Sequence, residues 1–143
     1  MEIKIRKANP SDATELQKLN EKFNGNYGVT AQMIEEFLAT NDCEKVFVAI
    51  ADGKVVAFCC AQIFQSFCYG ENYAEITEIY VDDSYRHIGI GTKLITYVED
   101  YLRSMNIRSL VLCTGQDNHT AQAFYEKNGW TKSAERMYRK RGK

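Results

Sequence analysis

Charged and apolar residues alternate through Ile3, Lys4 and Ile5, the two-residue period of a half-buried strand. Asn9-Pro10-Ser11-Asp12 then supplies a helix start. Asn9 suits the cap, Pro10 the first turn, and Asp12 the positive helix end. Ala13, Leu16, Leu19 and Phe23 continue at helical spacing. After a loop at 24–28, Thr30 caps a second helix carrying Met33, Ile34, Phe37 and Leu38 on one side. Residues 46–51 read as a strand, Asp52-Gly53 as a two-residue hairpin turn, and 54 to about 67 as the return strand. A turn at 69–72 leads to a strand at 74–81. A glycine-containing loop at 86–91 precedes a helix with Leu94, Ile95, Val98 and Leu102 on one face. Residues 109–113 read as a buried strand and 118–127 as a helix, ended by Asn128-Gly129 in a left-handed turn. From Trp130 onward a final strand or hairpin is expected. The order β-α-α-β-β-β-α-β-α-β predicts one α/β domain over residues 1–143, with helices covering a mixed sheet.

Composition narrows the function. A chain of 143 residues suits one core. A net charge of −1 argues against a general nucleic-acid binder, and the basic run Arg136, Arg139, Lys140, Arg141 and Lys143 reads as a solvated end. No apolar stretch is long enough to span a membrane, and residues 1–7 lack a signal-peptide core, so the expected location is cytoplasmic. The five cysteines include no CxxC pair. Cys59 and Cys60, adjacent on a strand, point to opposite faces. With only His87 and His119 to help, no metal is expected, and the thiols read as free and buried.

The most informative stretch is Ile79-Tyr80-Val81 leading into Arg86-His87-Ile88-Gly89-Ile90-Gly91-Thr92. Glycine lets a backbone approach a ligand closely, and N–H groups at a helix start converge where the dipole favours anions. A diphosphate suits such a cradle. Two close glycines before a helix also make an ordinary tight turn. The loop lacks the third glycine of a dinucleotide fingerprint and the Gly-Lys-Ser/Thr ending of a nucleotide P-loop.

Here the sequence resembles a known family. Arg86-x-x-Gly89-x-Gly91 looks like the Arg/Gln-x-x-Gly-x-Gly/Ala motif of the GNAT superfamily of N-acetyltransferases. The segment 118–130, with its Ala-x-x-Phe-Tyr-x-x-x-Gly-aromatic pattern, and the opening Ile5-Arg6-Lys7-Ala8 before Asp12 are similar to that family too. The resemblance implies a GNAT-like, mostly antiparallel mixed sheet splayed between its fourth and fifth strands, with acetyl-CoA as co-substrate in the gap. It carries over diphosphate binding to Arg86, His87, Ile88, Gly89, Ile90, Gly91 and Thr92. Pairing of the pantetheine arm falls to the strand Ile79, Tyr80, Val81, through the exposed backbone of Ile79 and Val81. Asn118 caps the last helix and, by resemblance, also reaches the pantetheine. A bulge between Ile76 and Ile79 would put the strand's apolar residues back in phase; a sheet covered on both faces would explain the same pattern.

Acetyl transfer to an amine needs a base to take the amine proton and an acid to protonate the leaving thiolate. By resemblance Tyr125 is the acid; the plain alternative is a core tyrosine beside Phe124. Glu75 and Glu78 are the candidate bases, against exposed or ion-paired strand residues. Glu75 ranks first because its spacing from Arg86 resembles that of the basic glutamate in the family's histone-modifying branch, although many relatives use a water chain instead. Arg86 suits a phosphate or a salt bridge to Asp82 or Asp83. Cys113 reads as core. Acceptor contacts are expected from Tyr27 in the 24–28 loop, from the second helix, and from Phe67, Tyr69 and Tyr73, since aromatic groups beside Glu71 suit a cationic amine. The expected acceptor is a small-molecule primary amine, polyamine or aminoglycoside-like. A peptide amine and a non-catalytic coenzyme-binding module are the alternatives. Family members are often homodimers, although no stripe in this sequence demands one.

Overall fold

Asp52 and Gly53 both take positive φ, 52° and 75°, closing the two-residue hairpin that the Asp-Gly pair predicts. Around that hairpin the computed structural model describes residues 1–142. The strands are β1 (Ile3–Lys7), β2 (Glu44–Ala51), β3 (Lys54–Phe64), β4 (Tyr73–Val81) and β5 (Ser109–Leu112). The helices are α1 (Ala13–Asn24), α2 (Ala31–Thr40), α3 (Ile90–Ser104) and α4 (His119–Lys127). The chain forms two compact units, Met1–Cys113 and the segment from Thr114 onward.

In the first unit the sheet runs β1-β2-β3-β4-β5. The first three pairings are antiparallel and the last is parallel. β4 and β5 stay together only from Tyr73↔Ser109 to Ile76↔Leu112. Beyond Ile76, β4 runs on without β5, which is the expected opening between the fourth and fifth strands.

Two irregularities set which side chains share a face. Ala49 faces Ala57 while Ile50 faces Val55, so Val56 is an extra residue in β3. Cys60 faces Glu78 while Ala61 faces Ile76, so Thr77 is an extra residue in β4. The second is the bulge that the phase of Ile76 and Ile79 suggested.

α1 lays Leu16 and Leu19 on Val48, Val55, Phe58, Cys60 and Tyr80. α3 covers the other face, where Leu94, Ile95, Val98 and Leu102 are fully buried. There Phe47 meets Tyr97 and Tyr101 edge-on at 5.9 and 5.1 Å. α2 starts where expected, with Thr30 Oγ1 accepting from the Met33 amide at 3.2 Å, but it buries none of its residues fully.

Asn9 and Asp12 form a reciprocal capping box around a 3-10 turn that precedes α1. Asp12, only 4% exposed, accepts a forked pair of bonds from Arg6 at 2.8 and 2.9 Å. Burial alone would push its carboxyl up. The Arg6 bonds, the Asn9 amide and the Arg6 charge outweigh burial and hold it below 3.8. Its stabilisation is therefore present above the unfolded pKa and lost as pH falls through the folded one. Asp12→Ala is expected to cost about 1–3 kcal/mol in urea melts at pH 7, the lower end reflecting partial exposure of Arg6. The difference should shrink below pH 3.8; an unchanged midpoint at pH 7 would refute this role.

Three expectations change. No strand forms at 130–142, where every residue after Trp130 is exposed. Five basic side chains, Lys132, Arg136, Arg139, Lys140 and Arg141, favour water over a neighbouring strand, and Met137 and Tyr138 stay exposed with them. Lys143, the last of the basic run, lies outside the described residues. β5 is not buried: it is an edge strand with Val111 exposed, and Cys113, just past its end and expected in the core, is exposed too. Of the five thiols only Cys59 and Cys60 are buried. Burial drives the Cys59 thiol up to about 12, which removes it as a nucleophile.

Candidate active site

β4 presents two different surfaces. The amide of Asp82 donates to the Val56 carbonyl at 2.8 Å, so by the strand's alternation Tyr80 also turns its main chain toward β3, while Ile79 and Val81 turn theirs away. Those two residues lie past the end of the β5 pairing. Their outward amides and the Ile79 carbonyl therefore form an open ladder without a strand partner, while the Val81 carbonyl accepts from Arg86. Tyr80, between them, places its ring in the core and stacks on Phe23 at 5.0 Å.

The strand then enters the loop at 86–89. His87 and Gly89 both have positive φ, 64° and 88°. Such left-handed residues turn nearby N–H groups toward one side. At Gly89 the absence of a Cβ makes this conformation free of the steric cost that a side chain would add. Gly89 is the N-cap of α3, and no side chain caps that end. Thr30 and Asn118 do cap α2 and α4. Ile90 is buried and anchors the first turn, while 86–89 are exposed. An uncapped, accessible N-terminus fits a diphosphate, and the open β4 ladder fits an amide-bearing arm. The residues present thus match the coenzyme that the resemblance implies.

Arg86 acts here as a strap. Its Nε donates to the Val81 carbonyl at 3.0 Å and its Nη2 pairs with Asp83 at 3.0 Å. Its guanidinium lies 5.4 Å from the Tyr80 ring centre. Asp83 is thus the acid it meets, and Asp82 pairs instead with Lys22 of α1 at 3.0 Å.

The opposite side of β4 holds the acids. Gln62 faces Glu75, and Cys60 faces Glu78. Without the Thr77 bulge, residues 75 and 78 would point to opposite faces; with it, both lie on the α1–α2 face. That face contains a cleft of about 230 Å3, roofed by α1 and α2 and floored by the sheet. Glu78 lines it and Glu75 does not. Burial pushes the Glu78 carboxyl above its ordinary 4.5, the direction a general base requires.

Glu44, at the start of β2, lines the same cleft, and the sequence reading missed it. Burial, and then the charge of Glu78, push its carboxyl up. Hydrogen bonds with Thr77, Gln62 and Cys60 partly offset this. The aromatic residues singled out for the acceptor stand apart from this lining. Tyr27, Phe67 and Tyr69 are largely exposed, and Tyr73 stacks on Phe64 at 5.0 Å.

In the second unit Asn118 Oδ1 accepts from the Ala121 amide at 3.1 Å, capping α4. Gln122 Nε2 donates to the carbonyls of Gly115 and Gln116, both at 2.9 Å, and fixes the approach to that cap. Tyr125 is half-buried two turns into α4. It packs edge-on to Phe124 at 5.4 Å, with Trp130 at 6.3 Å. Gly129 has φ +90°, as expected for the left-handed turn after the helix.

Among the described residues no group of three or more His, Cys, Asp or Glu side chains is placed to hold a metal ion, and no helix is long and apolar enough to cross a membrane.

Residues 13–130 match the model of the acetyltransferase (GNAT) family. An uncharacterized N-acetyltransferase of Methanocaldococcus jannaschii is 34% identical over 66% of this chain, and the match covers 42% of that protein. The chain thus spans less than half the length of this curated relative. Two solved structures are similar in fold. One is the aminoglycoside acetyltransferase AAC(6')-Iy with a bisubstrate analogue (TM-score 0.84, 22% identity, 99% of this chain and 100% of that one). The other is a ribosomal-protein-alanine N-acetyltransferase of Brucella melitensis (TM-score 0.84, 20% identity, 99% and 100%).

Proposed function

This chain belongs to the acetyltransferase (GNAT) family, and from that premise we propose that it transfers an acetyl group from acetyl-CoA to a primary amine of a small molecule, directly and within one ternary complex. The observation that carries this reading is the double use of β4. Its outward ladder at Ile79 and Val81 runs into the uncapped N-terminus of α3, while its other side sets Glu78 on the floor of a cleft.

In this proposal the backbone from Arg86 to Thr92 holds the diphosphate of acetyl-CoA, and Ile79 and Val81 hold its arm, with Asn118 as a further contact. The bound coenzyme supplies an activated thioester. Glu78 takes the proton of the acceptor ammonium, which frees the lone pair for attack. Glu78 is preferred to Glu75 because it lines the cleft and is held partly desolvated. Tyr125 gives its phenolic proton to the departing sulfur and is reprotonated, through solvent, by the second proton that the attacking nitrogen sheds on becoming an amide, while Glu78 returns its proton to solvent. Residues 1–143 act as one acetyltransferase domain, working in the cytoplasm.

The test is binding first and turnover second. Acetyl-CoA at a hundred times its Kd is expected to stabilise the protein by about 2.7 kcal/mol, read as a rise in Tm. Thiol release should then depend on the amine supplied, across a panel of diamines, aminoglycosides and peptide amines. Absence of any acetyl-CoA binding would refute the assignment. Binding without thiol release for every amine would leave only a coenzyme-binding module.

A further inference from the structure

The cleft under α1 and α2 carries two carboxylates and no basic side chain in its lining. Its walls are hydrocarbon, chiefly Leu16, Ile34, Phe37, Leu38, Val46 and Phe58. The only other polar side chains lining it, apart from the Cys60 thiol, are Asn20 and Asn24, which bond to each other at 2.8 Å. At about 230 Å3 it is smaller than the roughly 300–1,000 Å3 typical of drug-sized ligand pockets. A sugar rich in hydroxyls would find few partners here. A short alkyl chain with a cation at each end finds both apolar walls and acids.

We propose that Glu44 is a specificity-determining residue of this cleft, holding the second, non-reacting ammonium of an aliphatic diamine whose first amine faces Glu78. This deepens the acetyl-transfer reading above and rests on it.

The placement follows from register. Glu44 faces Gln62, two residues along β3 from Cys60, and Cys60 faces Glu78. Two strand spacings and two residues of rise separate the backbones of the two acids by about 12 Å. Their side chains lie on one face and close part of that gap. Hydrogen bonding from Thr77, Gln62 and Cys60 favours the charged form of Glu44. Burial and the neighbouring Glu78 charge penalise that carboxylate, and an ammonium arriving beside it relieves both costs. One carboxylate then serves the proton transfer and the other measures the distance to the far nitrogen.

The experiment is steady-state acetylation of 1,4-diaminobutane, butylamine and an aminoglycoside by the wild-type chain, Glu44→Gln and Glu44→Asp, with Tm measured for each. The wild type is expected to favour diaminobutane over butylamine in kcat/KM by about 10- to 100-fold, the worth of one hydrogen-bonded charge contact. Glu44→Gln should erase that preference through the KM for the diamine, with kcat held within about twofold and butylamine unaffected. Glu44→Asp, which keeps the charge, should recover part of it. A wild type that treats both amines alike, prefers the aminoglycoside, or passes its diamine preference to a folded Glu44→Gln or undiminished to Glu44→Asp overturns the inference and leaves acetyl transfer standing. Should Glu44→Gln fail to fold, the wild-type panel and Glu44→Asp still decide. Acetyl-CoA binding with no amine acetylated overturns the inference and the transfer reading together.

Discussion

Glu78→Gln is expected to lower kcat by about 10²- to 10⁴-fold, the range for loss of general acid–base assistance, with acetyl-CoA affinity unchanged. Glutamine keeps the size of the side chain and removes its capacity to accept a proton. The loss should therefore appear in turnover and not in folding. The acid limb of the wild-type pH–rate profile should titrate above 4.5, because burial raises this carboxyl, and it should be missing from the variant. Stability is expected to move the other way. A carboxyl raised by folding favours the folded state below its unfolded pKa, and that advantage is lost as pH rises through the folded value. At pH 7 the wild type bears the cost of a partly desolvated charge, and Glu78→Gln should melt higher. The gap should narrow as pH falls and close below 4.5. Normal turnover with an intact acid limb would end the assignment of Glu78 as base.

Tyr125→Phe removes one oxygen and keeps the ring that meets Phe124 at 5.4 Å and lies 6.3 Å from Trp130. Turnover is expected to drop by about 100-fold or more, while acetyl-CoA affinity measured by calorimetry stays within about twofold. A packing role would show the opposite pattern, with lowered Tm and little change in saturated turnover. Loss of coenzyme affinity equal to the loss of turnover would mean that the phenol binds and does not donate.

Local chemistry made much of the fold readable. Asn9, Thr30 and Asn118 each cap the turn they were expected to cap, because a side-chain oxygen beside unpaired N–H groups has one favoured use. Asp52-Gly53 made its hairpin for an equally local reason. The register beyond it was not readable. A two-residue turn sets Ala51 against Lys54, and counting outward would place Glu44 opposite Ala61. The extra residue Val56 shifts the partner to Gln62. That single step decides which face Glu44 occupies, and a sheet buried on both sides carries no alternating pattern to reveal it. A strand read over residues 46–51 also stops short of Glu44, where β2 begins. Which of Glu75 and Glu78 lines the cleft was not readable for a similar reason, since spacing along a strand says nothing about how α1 and α2 roof it. β5 was read as buried because a short apolar run looks alike at the centre and the edge of a sheet.

The thin anchoring of α2 has a consequence for how the protein changes over generations. The acids sit on strands held in register by β3, Glu44 against Gln62 and Glu78 against Cys60, whereas Ile34, Phe37 and Leu38 hang from a helix that buries no residue completely. Substitutions in the roof can reshape what enters, while the floor that carries Glu44 and Glu78 stays as it is. A lineage built this way can drift from one amine to another without reinventing its reaction.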